Sequence, residues 1–153
     1  MSMYFIGIDI SKYKHDCCII SAANQKVVSK VIIKNNKAGF NELLTIIHSL
    51  ANPADIRIGF ESTAHYALNL ELFLENSLLT FMEVNPVLIS EYKKSKTLRR
   101  TKTDSVDCES IARWLMTVEY KPHSKGFYHA YSLKSLTRLR DKLIRQRSFF
   151  LSC

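Results

Sequence analysis

Short apolar runs separated by polar turns fill the first part of the chain. Residues 4–10 form such a run, with a single carboxylate, Asp9, near its end, and further runs follow at 15–20 and 26–33. Runs of this length with turn residues between them predict an antiparallel meander of three strands. The first run is apolar at nearly every position, which indicates a strand buried on both faces. An ionised carboxylate is costly there unless a cation or hydrogen-bond donors meet it, so we expect a partner for Asp9.

Helical spacing appears after this β region. Apolar residues recur at intervals of three and four over 38–50, which predicts an amphipathic helix. Residues 55–60 predict a fourth strand with Glu61 just past its end, and 78–84 predict a fifth, with a second helix between them. The order βββ-α-β-α-β predicts an α/β fold. Its mixed five-stranded sheet has three antiparallel strands, two strands added in parallel, and helices on both faces.

The second half of the chain is more basic. We interpret residues 90–102 as a mobile basic loop, and expect helix from Asp104 to about Tyr120. A last amphipathic helix begins near Ser132 and continues to the end of the given sequence. We expect either that it belongs to a longer protein or that it pairs with another helix in a homo-oligomer. The expected organisation is a domain at 1–120, a linker at 121–131, and the start of a helical region at 132–153.

Charge and cysteine content narrow the class of protein. The 153 residues include 22 Lys and Arg against 14 Asp and Glu, a net charge of +8, which favours a polyanionic partner and first of all nucleic acid. On charge alone, an inert basic surface is about as likely a reading. No signal peptide or membrane-length apolar stretch is present, which predicts a cytoplasmic protein without a membrane partner. The cysteines show no metal spacing and are expected to be reduced packing thiols: Cys17, Cys18, Cys108 and Cys153.

Four carboxylates occupy positions that strand and helix geometry could gather. Asp9 and Glu61 end two strands expected to be parallel neighbours, and Asp104 and Asp107 share one helix face. Oxygen ligands alone favour Mg²⁺ or Mn²⁺. Helix capping is the alternative explanation for Glu61, Asp104 and Asp107, but it does not apply to Asp9.

Four motifs in order resemble a known family. They are residues 7–12 (GIDISK), 60–66 (FESTAHY), 84–86 (VNP) and 102–108 (KTDSVDC). Together they resemble the amino-terminal domain of insertion sequence 110 family transposases, relatives of the Piv-type DNA invertases. The family forms are GIDVSK, EATGxY, VNP and KTDxxDA. Departures at Ser62, Ala64 and Cys108 leave the acids in register.

This resemblance implies a RuvC-like, RNase H-type fold with a DEDD tetrad, matched here by Asp9, Glu61, Asp104 and Asp107. It implies two Mg²⁺ or Mn²⁺ ions, and DNA recombination directed by an RNA that the element encodes. Family members also carry a carboxyl-terminal domain with a serine implicated in strand exchange, so we expect complete recombination to need residues beyond this chain. The residues expected to hold phosphates of DNA or RNA are Lys12, Lys93, Lys94, Lys96, Arg99, Arg100, Lys102, Arg138, Arg140 and Arg145.

Two alternatives stay open from the sequence. One is a stand-alone junction-resolving nuclease of the same fold. The other is a non-catalytic module that binds nucleic acid and dimerises through its last helix. Sugar kinases and actin-like ATPases also begin with a Gly-Ile-Asp strand, but the four glycines of this chain are scattered and form no phosphate-binding loop.

Overall fold

A mixed sheet with helices on both faces forms the fold. The computed structural model describes residues 2–61, 66–96 and 104–123 together with Arg140 and Ile144, and follows residues 96 and 104–106 by their backbone alone. The strands are β1 (Tyr4–Ile10), β2 (Lys14–Ser21), β3 (Val27–Lys34), β4 (Ile56–Glu61) and β5 (Phe81–Val84). The helices are α1 (Lys37–Leu50), α2 (Leu68–Asn76), α3 (Pro86–Lys96) and α4 (Asp104–Leu115), and a 3-10 turn, Pro53–Asp55, precedes β4.

The strand order across the sheet is β3-β2-β1-β4-β5. The pairs β1/β2 and β2/β3 are antiparallel, and the pairs β1/β4 and β4/β5 are parallel. The predicted sheet of three antiparallel and two parallel strands is therefore confirmed. β1 is the central strand: Ile6 and Ile8 are fully buried on one of its faces, and Gly7 is buried on the other. This explains why its sequence is apolar on both faces.

Helix α4 packs very closely on one face of the sheet. A Cβ atom added at Gly7 of β1 would lie 2.1 Å from the carbonyl oxygen of Cys108 and 2.4 Å from the amide nitrogen of Ala112. Gly59, its partner on β4, faces the side chain of Leu115 instead. The absence of a side chain at Gly7 lets the α4 backbone rest directly on β1.

Helices α1 and α2 belong to the opposite face. The side chain of Asn36 caps α1 by accepting a hydrogen bond from the Gly39 amide at 2.9 Å. Phe40 of α1 stacks on His15 of β2, with ring centroids 6.0 Å apart, and also contacts Phe73 of α2. Because adjacent residues of a strand point to opposite faces, β2 contributes side chains to the core on each face of the sheet.

The prediction of a mobile loop from Ser90 was wrong for the residues that the structure describes. Residues 90–96 are the second half of α3. Asn85 begins this helix by accepting a hydrogen bond from the Val87 amide at 2.9 Å, with Pro86 in the first turn. Ile89 is fully buried and Tyr92 packs against the same cluster, so a short apolar stripe holds the helix down despite its charge. Residues 97–102 lie outside the described residues.

The fifth strand and helix α4 are both shorter than predicted. The fifth strand begins at Phe81, because Leu78 terminates α2 with a φ of 57° while the amide of Leu79 donates back to Leu74 at 2.9 Å. Helix α4 ends at Leu115 rather than near Tyr120. The hydroxyl of Tyr120 instead donates to the carbonyl of Ile58 at 3.1 Å.

Cys17, Cys18 and Cys108 are buried and form no disulfide, as expected, while Cys153 lies outside the described residues. The chain divides into two units, Met1–Pro122 and His123–Cys153. The domain, linker and helical-region boundaries at 120 and 131 stay a prediction. Within the described residues, no helix is both long and apolar enough to cross a bilayer.

Candidate active site

Asp9 and Glu61 lie side by side near the carboxyl ends of neighbouring strands. Ile8 of β1 pairs with Phe60 of β4 in parallel register, so a carboxylate comes next on each strand. Neighbouring strands are about 4.8 Å apart, and residues at matching positions point to the same face. Gly7 is two residues before Asp9 and contacts α4. Both carboxylates therefore belong to the face that α4 covers.

Asp107 approaches this place from α4. It directly precedes Cys108, whose carbonyl oxygen rests against Gly7. Its Oδ1 atom is 2.6 Å from Nζ of Lys93 on α3. The charges of both Asp107 and Lys93 act on Glu61. Tight packing of α4 on β1 thus brings a third carboxylate, and a lysine, to the sheet edge where Asp9 and Glu61 lie.

Burial has the largest effect on the pKa of Glu61. Desolvation raises the pKa of the Glu61 carboxyl above its ordinary value of 4.5, Lys93 opposes that shift, and Asp107 adds to it. A carboxylate with a raised pKa next to another carboxylate gains stability as an anion when a cation binds beside it. The surroundings of Glu61 therefore favour a cation bound beside its carboxylate.

Asp104 is the first residue of α4, three positions before Asp107. Positions three apart in a helix lie on the same side, so the backbone leaves both aspartates on one face. The side chain of Asp104 lies outside the described residues. Its membership of the cluster stays a prediction.

A fifth carboxylate, which was not among the predicted site residues, lies opposite Asp9. Asp16 of β2 pairs directly with Asp9 across the antiparallel ladder, and it is buried, with Lys14 Nζ 3.5 Å from its Oδ2. Residues directly opposite in such a pair point to the same face. The short polar turn between the first two runs was the available signal, because it fixes the register that sets Asp16 against Asp9.

Known proteins share the sequence pattern of this chain. The chain matches the model of the DEDD family of insertion sequence 110, described as a transposase, over residues 6–151. It belongs to this transposase family. Two pilin gene-inverting proteins, from Moraxella bovis and Moraxella lacunata, are each 33% identical over 115 residues, covering 74% of this chain and 34% of the relative. The chain thus spans about a third of the length of these curated relatives.

Solved structures agree on the fold of this transposase-family chain. RuvC from T. thermophilus in complex with a Holliday junction substrate has a TM-score of 0.55 at 10% identity, covering 79% of this chain and 99% of RuvC. A second structure of Thermus thermophilus RuvC has the same TM-score and identity, covering 79% of this chain and 100% of RuvC. The expected RuvC-like, RNase H-type fold is confirmed.

The donor set of the transposase-family chain suits a hard divalent cation. Asp9, Glu61 and Asp107 offer carboxylate oxygens only, which Mg²⁺ and Mn²⁺ prefer. In the described part of the chain, no three His, Cys, Asp or Glu side chains are gathered closely enough to hold a metal ion as they stand. The ammonium of Lys93 contacts Asp107 instead. The three carboxylates have the right chemistry for a metal ion and lie along the same edge of the sheet. One of them, Asp107, forms an ion pair with Lys93.

The predicted phosphate-binding residues have different outcomes. Lys12 is exposed in the turn after β1, with its Nζ 4.9 Å from the centroid of the Tyr13 ring, and Lys94 is exposed on α3. Lys93 contacts Asp107, a position that sequence reasoning did not foresee. Arg140 is exposed within the second unit, and Lys96 is followed by its backbone alone. Outside the described residues lie Arg99, Arg100, Lys102, Arg138 and Arg145.

Proposed function

We propose that this chain is the catalytic domain of a DNA transposase that cleaves or transfers phosphodiester bonds with the help of divalent metal ions. One observation carries the proposal: Asp9 and Glu61 follow paired residues of parallel strands, beneath a helix whose Asp107 lies close enough to act on Glu61. Neighbouring carboxylates repel each other, and that repulsion destabilises a fold unless positive charge lies beside them.

In this proposal, Asp9, Glu61, Asp104 and Asp107 hold two Mg²⁺ or Mn²⁺ ions. Bound there, such ions would activate the attacking oxygen and stabilise the leaving 3′ oxygen of the phosphodiester. β1 and β4 would then position Asp9 and Glu61, and α4 would position Asp104 and Asp107. Close contact between Gly7 and α4 sets the distance between the two groups.

Basic residues near the same sheet edge would hold the nucleic acid. The turn carrying Lys12 follows the carboxyl end of β1, and α3, which carries Lys94, follows the carboxyl end of β5. β1 and β5 both run parallel to β4, so both segments begin at the edge where Asp9 and Glu61 lie. Phosphates bound there would lie beside the carboxylates, and their affinity should fall steeply with salt.

The finer parts of the proposal rest on the family. They are recognition of an element-encoded RNA, self-association through the helical region after residue 132, and a cytoplasmic location. Lys96, Arg99, Arg100, Lys102, Arg138, Arg140 and Arg145 complete the proposed surface for RNA and DNA. Because the chain spans about a third of its curated relatives, the recombination reaction is proposed for the protein that carries this domain.

The test compares two aspartates at opposite ends of the sheet, in the complete protein. Asp9→Asn should abolish excision and insertion and leave urea stability near that of wild type. The matched control is Asp55→Asn, the same chemical change just before β4 at the other edge, which should keep activity. Recombination by Asp9→Asn at the wild-type rate would refute the assignment.

Two further outcomes separate the alternatives. Cleavage of four-way DNA junctions by the 153-residue chain alone with Mg²⁺ would favour a stand-alone nuclease. Unchanged nucleic-acid binding in EDTA, with no cleavage in any divalent metal, would favour a non-catalytic binding module. Either result uses the same purified chain, so the two alternatives are tested side by side.

A further inference from the structure

Lys93 stands among the carboxylates of the candidate site. Its Nζ atom is 2.6 Å from Oδ1 of Asp107, and the two side chains keep 30% and 35% of their surface exposed. The same ammonium acts electrostatically on Glu61, opposing the effect of burial. A cation that belongs to the protein therefore contacts one of the carboxylates to which the proposed function assigns a metal ion.

Packing fixes the helix that carries this lysine. Ile89, one helical turn before Lys93, is fully buried in a cluster with Ile111 and Leu115 of α4. Tyr92, the neighbour of Lys93 in sequence, packs against the same cluster. The Lys93 stem thus leaves α3 next to its buried stripe and close to α4, so the contact with Asp107 follows from how the two helices pack.

Lysine and metal compete for the same carboxylate. A Mg²⁺ or Mn²⁺ ion binds a carboxylate oxygen at about 2.1 Å, so an ammonium in contact with that oxygen would lie within about 5 Å of the ion. At that separation, repulsion between the two cations is substantial even with partial solvent screening. Both cannot be held at Asp107 without a large loss of affinity.

Resting on the proposed function, we propose that Lys93 is a positioning residue that neutralises Asp107 in the metal-free protein and leaves it when metal binds. Without metal, the ammonium offsets part of the repulsion between Asp107 and Glu61. With metal bound, the ammonium is released toward solvent, and a phosphate oxygen of the nucleic acid is its natural next partner. Nucleic acid that attracts Lys93 would then strengthen metal binding, and metal would strengthen nucleic-acid binding equally.

The test measures Mn²⁺ affinity in the full 153-residue chain, from the electron paramagnetic resonance signal of free Mn²⁺. Lys93→Met should bind Mn²⁺ about fivefold or more tightly than wild type, because the competing charge is gone. The matched control is Lys37→Met, which removes the same charge from an exposed position of α1, on the opposite face of the sheet, and should change the affinity less than twofold. In an Asp107→Asn background, Lys93→Met should lose most of its effect.

A second measurement uses a non-cleavable phosphorothioate DNA strand. Adding it should tighten Mn²⁺ binding in wild type and do so much less in Lys93→Met. Equal or weaker Mn²⁺ affinity in Lys93→Met than in wild type would overturn the proposed competition and leave the proposed function standing. If wild type and all variants fail to bind Mn²⁺, the metal-dependent function is refuted and this inference with it.

Discussion

Replacing Gly7 with alanine would place a methyl group inside the backbone of α4. The added carbon would lie 2.1 Å from the carbonyl oxygen of Cys108 and 2.4 Å from the amide nitrogen of Ala112, far less than an ordinary van der Waals contact. Backbone atoms cannot rotate away, so α4 must move off β1 by about 1 Å or more. The shift would also carry Asp107 away from Asp9 and Glu61.

Gly59→Ala is the matched control, because Gly59 pairs with Gly7 across the β1/β4 ladder. A methyl group there would lie 2.7 Å from Cδ1 and 2.8 Å from Cδ2 of Leu115, the flexible end of a side chain. Overpacking a core typically costs about 1–3 kcal/mol and occasionally more. We expect about 3 kcal/mol or more for Gly7→Ala and about 1 kcal/mol for Gly59→Ala, out of a total stability of about 5–15 kcal/mol.

Urea denaturation followed by circular dichroism measures both values, with the slope of the transition checked for two-state behaviour. Mn²⁺ affinity is then measured on the folded fraction of each variant. Gly7→Ala should weaken Mn²⁺ binding, while Gly59→Ala should leave it nearly unchanged. Equal destabilisation by the two substitutions would refute the reasoning, because it would mean that backbone and side-chain contacts yield equally to an added methyl group.

Two further predictions concern the buried His15 and Glu109, which forms ion pairs with two basic residues. Burial lowers the pKa of His15 below 6.5, so its contribution to stability is complete above pH 6.5 and is lost as pH falls through the lowered pKa. His15→Phe, which can still stack on Phe40, should weaken this loss in urea titrations between pH 7.5 and 5. Glu109 bonds Lys30 at 2.8 Å and Arg113 at 2.9 Å, and Glu109→Gln should cost about 1 kcal/mol at low salt.

Controls separate these effects from general damage. His48→Gln changes an exposed histidine of α1 and should leave the pH profile as in wild type. An unchanged pH profile in His15→Phe would contradict the predicted role of burial. The cost of Glu109→Gln should shrink in 1 M NaCl, because salt screens partly exposed ion pairs. A cost that is indifferent to salt would point to packing instead of charge.

Local patterns were sufficient for most of the sheet. The apolar runs and the turns between them predicted the five strands that the structure has. The alternation of these strands with helices after residue 38 predicted the directions in which they pair. Prediction was poorest where composition and local geometry disagree. The many lysines of α3 suggested a loop, although Asn85 caps this helix and Ile89 is buried beneath it. At the end of α2, Leu78 has the left-handed backbone conformation that is usual for glycine.

The sequence by itself determined that Asp9 lies in a buried strand and that Glu61 ends another, because strand burial and turns are encoded locally. It could not determine what meets these carboxylates, since that depends on contacts between residues far apart in the chain. Only the tertiary structure decided that α4 rests directly on Gly7 and that Lys93 contacts Asp107. Packing of α3 and α4 on the sheet sets those distances, and distance governs the electrostatics of the site.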